Sequence, residues 1–360
     1  MPVPVTRPTR WIPILILVPA LSGRLAAQQA ERYTVLGDDI AIYNLAGEVK
    51  IEAGASPGIA AEVTRGGSEG AKIKVVRSEI DGHQTLRFLY PSDRIQYSRL
   101  SSGSSTQLRV REDGTFGDDH DDDDRREEGR HVDIRGRGGL DAFADLRITV
   151  PSGKQLSLYL AVGKVSVTNV EGDLTVSAAS APVTTSNTRG ELRIDVGSGE
   201  VRVTQSRGDL SVDTGSGAVA VSDVRGEDVS IKTGSGQVSA SDLRSNQVSV
   251  ETGSGDIQAG GMSAGQVQLE TGSGAVTADL TGELWNLSVE TGSGDITLKV
   301  PPTLGAEVDI ETSSGDIETD FEVAVTRHAR DHLTGRIGDG RGKIDIETGS
   351  GGIRLVKRTT

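Results

Sequence analysis

A four-residue phrase returns along this chain at a nearly constant distance, and that return constrains the fold more than any other feature. Thr214-Gly215-Ser216-Gly217 recurs as Thr233-Gly234-Ser235-Gly236, Thr252-Gly253-Ser254-Gly255, Thr271-Gly272-Ser273-Gly274 and Thr291-Gly292-Ser293-Gly294. Worn copies stand at Val196-Gly197-Ser198-Gly199 and Thr312-Ser313-Ser314-Gly315, and a last one at Thr348-Gly349-Ser350-Gly351. From Gly199 to Gly315 the closing glycines lie 18 to 21 residues apart. A period near 20 residues is the mark of a stacked architecture, in which each unit shelters its neighbours.

One unit explains why. In residues 208–225, Leu210, Val212 and Thr214 alternate with Asp209, Ser211 and Asp213, and Val219 and Val221 alternate with Ala218, Ala220 and Ser222. Alternation over runs this short reads as half-buried strands. The glycines between the runs permit positive φ and a tight corner. Val224 adds an inward residue near the opposite corner. The pairs Val229/Ile231 with Val238/Ala240, Val248/Val250 with Ile257/Ala259, Val267/Leu269 with Val276/Ala278 and Leu287/Val289 with Ile296/Leu298 repeat the pattern. A single unit cannot bury its own apolar edge. Stacked, the units become parallel strands about 4.8 Å apart with valine over valine. The expected fold is all-β: a right-handed parallel β-solenoid (single-stranded β-helix) of roughly ten rungs. A left-handed hexapeptide helix would need an aliphatic residue every six positions; here they recur nine apart, as from Leu210 to Val219. A calcium β-roll carries glycines at every turn and oxygen ligands at every rung. This chain has glycines at one turn per coil and a variable residue after them.

The flanking segments differ. Arg7 and Arg10 precede an apolar run from Trp11 to Leu21, and Leu25-Ala26-Ala27 offers a cleavage site, so residues 1–27 read as a secretory signal peptide. The run is too short to span a bilayer. The chain is expected to be exported, to the periplasm, the cell surface or the medium. Losing the three arginines of residues 1–27 takes the formal charge from −14 to −17, which argues against a nucleic-acid partner. With no cysteine there are no disulfides, thiolate metal sites or cysteine nucleophiles. Residues 28–111 read as an N-terminal β cap and first rungs, 112–131 as an acidic disordered loop centred on Asp118–Asp124, and 132–360 as the repeats, with an excursion at 320–341.

The stretches Asp145–Gly153 and Leu156–Val167, the repeated Thr-Gly-Ser-Gly-Asp-Ile, the opening strand Tyr43–Ile51 and the closing Gly338–Ile346 resemble the DUF4097 family of candidate adhesins. The resemblance covers nearly the whole chain after residue 27 and implies an exported β-solenoid. It brings no catalytic residues, and the acidic insertion departs from it.

Few residues suggest chemistry. Gly54-Ala55-Ser56-Pro57-Gly58 has the spacing of a hydrolase nucleophile elbow, but Pro57 and the glycine-rich sequel give no helix to follow it. His328 and His332 are four apart without the glutamate of a zinc protease. The acidic loop could hold hard cations only loosely, and no cofactor or metal is expected. Two outward ladders remain. Arg189, Arg207, Arg225 and Arg244 share one phase; Asp195, Asp213, Glu251, Glu270, Glu290, Glu311 and Glu347 share another, interrupted by Lys232. Arg207 and Arg225 read as offset by Asp209 and Glu227, and the arginine ladder is a candidate contact for an anionic polymer. The expected function is a non-enzymatic, adhesin-like surface for binding or scaffolding at the cell envelope. Its partner would be a surface polysaccharide or protein, and the chain itself a monomer. The alternatives are a β-helix polysaccharide-degrading enzyme and an end-to-end structural polymer. Lys357 and Arg358, near the last strand, read as guards against end-to-end pairing.

Overall fold

The structure is a computed structural model that describes residues 30–358 except 81, 102 and 118–128, so the expected signal segment and the centre of the acidic run lie outside it. The alternating runs are strands. Leu192–Ser198 and Val201–Arg207 make two sides of one coil, and Leu210–Ser216 and Val219–Arg225 make the same sides of the next. Corresponding sides pair in parallel: Leu192 opposite Leu210, Leu210 opposite Val229, Val201 opposite Val219 and Val219 opposite Val238. Val212, Ile231 and Val250 stack in line with exposures of 1 %, 0 % and 0 %. Burying each such side chain stabilises the fold by about 1.5–3 kcal/mol, and every coil within the stack has backbone partners on both sides.

The repeated phrase has a reason at each position. Gly217 and Gly236 adopt φ of 140° and 150°, and a Cβ there would lie 2.1 and 2.2 Å from the carbonyl oxygen of the glycine one coil earlier. Glycine is needed for both conformation and close approach. The threonine side chain is buried, and its hydroxyl donates to a corner carbonyl of the neighbouring coil: Thr252 to Gly236 at 3.2 Å, Thr271 to Gly255 at 3.0 Å, Thr291 to Gly274 at 3.0 Å. The outward serine leaves the corner free of bulk.

A second column bends the coil. Asn169, Asn187, Gln205, Asp223 and Asp242 all have φ between 49° and 58°, and Gly261 continues the column at 65°. Asn and Asp tolerate this left-handed conformation better than most residues. The bend interrupts the alternation, as in the burial of Val201, Val203 and then Ser206, and turns Thr188, Ser206, Val224, Leu243 and Met262 into the core.

At the first end, the long strand Asp39–Gly54 pairs along its length with Lys154–Thr168. Its other edge is covered by His83–Leu89 over the first half and Phe143–Pro151 over the second. Antiparallel strands close this end: Lys74–Ile80 on the first half, and Ile59–Gly66 followed by Glu31–Val35 on the second. A separate four-stranded sheet joins Arg94–Gln96, Ser105–Val110, Arg130–Arg135 and Leu140–Asp141. Fully buried Asn44 ties the end together, donating to the Ala144 carbonyl at 2.8 Å and accepting from the Tyr90 hydroxyl at 2.9 Å. Burial holds that phenol well above its ordinary pKa, so it stays a donor.

At the far end, stacking order departs from chain order. Gly342–Thr348 lies between Asn286–Thr291 and Ala306–Thr312, and Ile353–Lys357 lies between Ile296–Val300 and Ile317–Thr319. The repeat that comes last in the chain is thus next to last in the stack. The threonine contacts follow the same order, Thr348 donating to Gly294 at 3.1 Å and Thr312 to Gly351 at 3.0 Å. The segment read as an excursion holds Val323–His328 and His332–Ile337, which pair with each other and, through His332–Ile337, with Ala306–Thr312. Lys357 and Arg358 therefore do not guard an edge. Lys357 sits 5.2 Å from the Phe321 ring centroid, and Arg358 Nε is 2.8 Å from an Asp279 carboxylate oxygen.

Candidate functional site

Strand register decides what the outer surface presents. Every outward position repeats once per coil, about 4.8 Å from its neighbour, so equal phase becomes a straight column. Arg189 lies opposite Arg207, Arg207 opposite Arg225, and Arg225 opposite Arg244. The four occupy the corner where each coil passes to the next. Their offset differs from the expected one: Asp223 faces both inner members, 3.3 Å from Arg207 Nη1 and 3.7 Å from Arg225 Nε. Asp209 is otherwise engaged, its Oδ1 accepting the backbone N–H of Glu227 at 2.9 Å and of Asp228 at 3.1 Å. An aspartate at this phase binds one coil to the next, as Asp173 does with the Glu191 amide at 2.9 Å. Among the described residues, Arg189 and Arg244 make no ion pair.

The acidic column runs Asp195, Asp213, Lys232, Glu251, Glu270, Glu290, Glu347, Glu311. Its last two members stand in the reverse of chain order because the closing repeat is inserted. Lys232 Nζ is 3.2 Å from Glu251, the single cation within the run. Stacked like charges repel, and here they are spread over an exposed face. At the far end the column meets His332, opposite Glu311 in register, with Nε2 2.8 Å from Asp309. A shallow open groove beside it is lined by Glu307, Asp309, Thr334, Arg336, Lys343 and Asp345.

At the first end the column's phase carries aromatic rings. Tyr43 and Tyr159 stack with centroids 4.4 Å apart and planes 4° apart, and Phe116 meets Tyr43 edge-on at 5.9 Å. Phe116 thereby fixes the root of the acidic insertion against the solenoid wall. Arg99 makes a two-armed contact with Asp145 at 3.0 and 2.8 Å and lies 4.6 Å from the Phe143 ring centroid; the Asp145 carboxylate raises its already high pKa further.

The other chemical candidates do not assemble into a centre. Ser56 lies in the turn between Asp39–Gly54 and Ile59–Gly66, and its hydroxyl donates to the Gly58 carbonyl at 2.6 Å; no helix follows it. His328 ends the strand Val323–His328, and its side chain lies outside what the structure describes. Among the described residues no group of three His, Asp or Glu side chains converges, and no helix is long and apolar enough to cross a membrane. Sequence periodicity found both charged columns. It missed the left-handed column and the role of the threonines, although the polar residues recurring at 169, 187, 205, 223 and 242 were a readable signal.

The family model described as Toastrack DUF4097 matches residues 101–356. A search of curated proteins returned no match. Among solved structures, one described as a candidate adhesin from Bacteroides fragilis aligns at 13 % identity, covering 91 % of this chain and 96 % of its own, with a TM-score of 0.37. Another, described as a candidate cell adhesion protein from Clostridium sporogenes, aligns at 11 % identity, covering 92 % and 99 %, with a TM-score of 0.23.

Proposed function

The chain belongs to the Toastrack DUF4097 family, and on that premise we propose that it is an exported, non-enzymatic β-solenoid whose long outer surface binds or scaffolds at the cell envelope. The observation that supports this reading is the register of the outward columns: identical side chains repeat about every 4.8 Å along a straight edge. Such an edge offers a periodic ligand many equivalent contacts, whereas a reaction centre needs groups that converge on one point. The right-handed winding and the passage out of the cytoplasm belong to the same proposal.

The ligand chemistry we favour is an anionic envelope polysaccharide lying along Arg189, Arg207, Arg225 and Arg244. Guanidinium groups suit carboxylate, sulfate or phosphate substituents, and Arg189 and Arg244 leave the ends of the ladder open to them. Retention of the protein on an immobilised anionic polysaccharide, dextran sulfate for instance, should fall sharply with salt and be largely lost when Arg189, Arg207, Arg225 and Arg244 are replaced by serine. Unchanged retention would remove the ladder from the proposal. A glycan-cleavage screen tests the enzymatic alternative: release of reducing ends by the protein would replace this reading altogether. Sedimentation across a wide concentration range tests the structural polymer, which requires growth with concentration.

A further inference from the structure

Trp285 is 60 % exposed, and it is the only tryptophan after residue 27. Its backbone is held on both sides, the N–H donating to the Gly265 carbonyl at 2.9 Å and the carbonyl accepting from Lys343 N–H at 2.8 Å. The ring is held as well. A Cβ on Gly265 would lie 2.6 to 2.7 Å from three atoms of the six-membered ring, Cη2, Cζ2 and Cζ3. Near-equal distances to three ring atoms mean that the indole lies face down on the bare glycine. One π face is thus seated on backbone and the other faces outward. The coil beyond brings Gly342 close to the Trp285 carbonyl, 3.4 Å from where a Cβ would sit, so the next coil has a glycine beside this position.

The surroundings decide what such a ring is for. An aromatic anchor for a protein partner sits among other apolar groups, and a membrane anchor needs an apolar patch. Leu284, directly before the ring, is half-buried against the core, and the other residues flanking the ring are polar. Gln247, Gln266 and Asn286 stand in register as an outward row of amides between Asp228 and Lys343, and Asn286 follows the tryptophan directly. Glu283 is exposed two residues before it. The electron-rich face of an indole attracts the weakly positive C–H groups on one face of a sugar ring. Side-chain amides can both donate to and accept from hydroxyl groups. The ring also occupies the coil-closing corner that carries the arginine ladder, two coils beyond Arg244 and so about 10 Å further along the axis.

We propose that Trp285 is a stacking platform for a pyranose ring, with the Gln247, Gln266 and Asn286 amides binding its hydroxyl groups. This deepens the polysaccharide reading above by adding a subsite that recognises uncharged sugar, and it rests on that reading only for the identity of the ligand as a glycan. A seated ring loses little freedom on binding, so it suits a repeating, weakly held polymer.

Indole fluorescence tests it in the full chain carrying Trp11→Phe, in which Trp285 is the sole tryptophan. The titrants are dextran, xylan, chitin oligosaccharides and dextran sulfate. At least one neutral glycan should change the emission saturably and without dependence on salt. Trp285→Ala should weaken retention on that glycan about tenfold or more, the loss expected of an aromatic anchor, and Trp285→Tyr should restore part of it. The serine-substituted arginine ladder should keep this neutral binding while losing the salt-sensitive part, so the two contacts can fail separately. Emission unmoved by every glycan would overturn the proposal, and so would retention unaffected by Trp285→Ala. A thermal shift in Trp285→Ala with unchanged retention would assign the ring to covering Gly265 alone. A response to phosphatidylcholine vesicles and not to glycans would assign it to a lipid surface.

Discussion

In the shaft, from about residue 172 to 280, each strand pairs with the strand one repeat earlier and one repeat later. At the two ends, strands pair with partners distant in the chain: Asp39–Gly54 with Lys154–Thr168, and Gly342–Thr348 with Asn286–Thr291. The shaft is built from valine columns, corner glycines and threonine hydroxyls, each repeated. The ends are built from single features: a buried asparagine, stacked tyrosines, an antiparallel hairpin. Repetition makes the shaft tolerant, because a fault in one coil is flanked by sound ones. The features particular to each end have no second copy. Antiparallel strands also cover most of the parallel edge that would otherwise invite pairing with another chain, although Ile317–Thr319 keeps a single partner.

The largest effect that could break this contrast comes from the inserted repeat. Ending the chain after Arg341 removes strands paired on both sides and should abolish cooperative folding, read as loss of the β signal in circular dichroism and insolubility. Deleting 303–338 instead joins Pro302 to Asp339. Five residues would then separate Val300 from Gly342, as five separate Leu280 from Asn286. That variant should keep a folded shaft but self-associate through its uncovered edge in sedimentation.

Next comes the shaft corner. Gly236→Val forces a β-branched residue to φ 150° against a carbonyl and should destabilise by about 3–5 kcal/mol in urea unfolding, by strain and overpacking together. At the first end, Asn44→Leu leaves the Ala144 carbonyl without its side-chain donor and the Tyr90 hydroxyl with the Ala46 carbonyl alone, and should cost about 2–3 kcal/mol. Smallest is Thr271→Val, which keeps shape and removes one hydroxyl contact to Gly255, worth about 1 kcal/mol. If Thr271→Val proved as damaging as Asn44→Leu, the shaft would not be a redundant region.

Legibility follows the same division. Val212, Ile231 and Val250 could be stacked from spacing alone, since a period near 19 leaves one register that keeps apolar residues inward. The arginine and carboxylate columns followed from the same register. Their partners did not: the choice of Asp223 over Asp209 depends on the left-handed bend, which places Asp223 between two arginines and leaves Asp209 free to accept amides. The order of the last repeats was hidden because Thr312-Ser313-Ser314-Gly315 and Thr348-Gly349-Ser350-Gly351 carry equivalent corner signals, and nothing local says which stacks first. The seat beneath Trp285 was hidden for a similar reason, since it requires knowing that Gly265 lies one coil away.

The placement of Ile353–Lys357 between two neighbours, with Glu31–Val35 joined to only one, gives the molecule unequal handles. Tension applied near residue 357 loads two parallel ladders at once in shear, so many hydrogen bonds must yield together. Tension applied near residue 31 meets one antiparallel ladder at an outer edge, where bonds can give way in turn. Held through its C-terminal region, the molecule would keep its load; pulled from the other side, it would begin to fray.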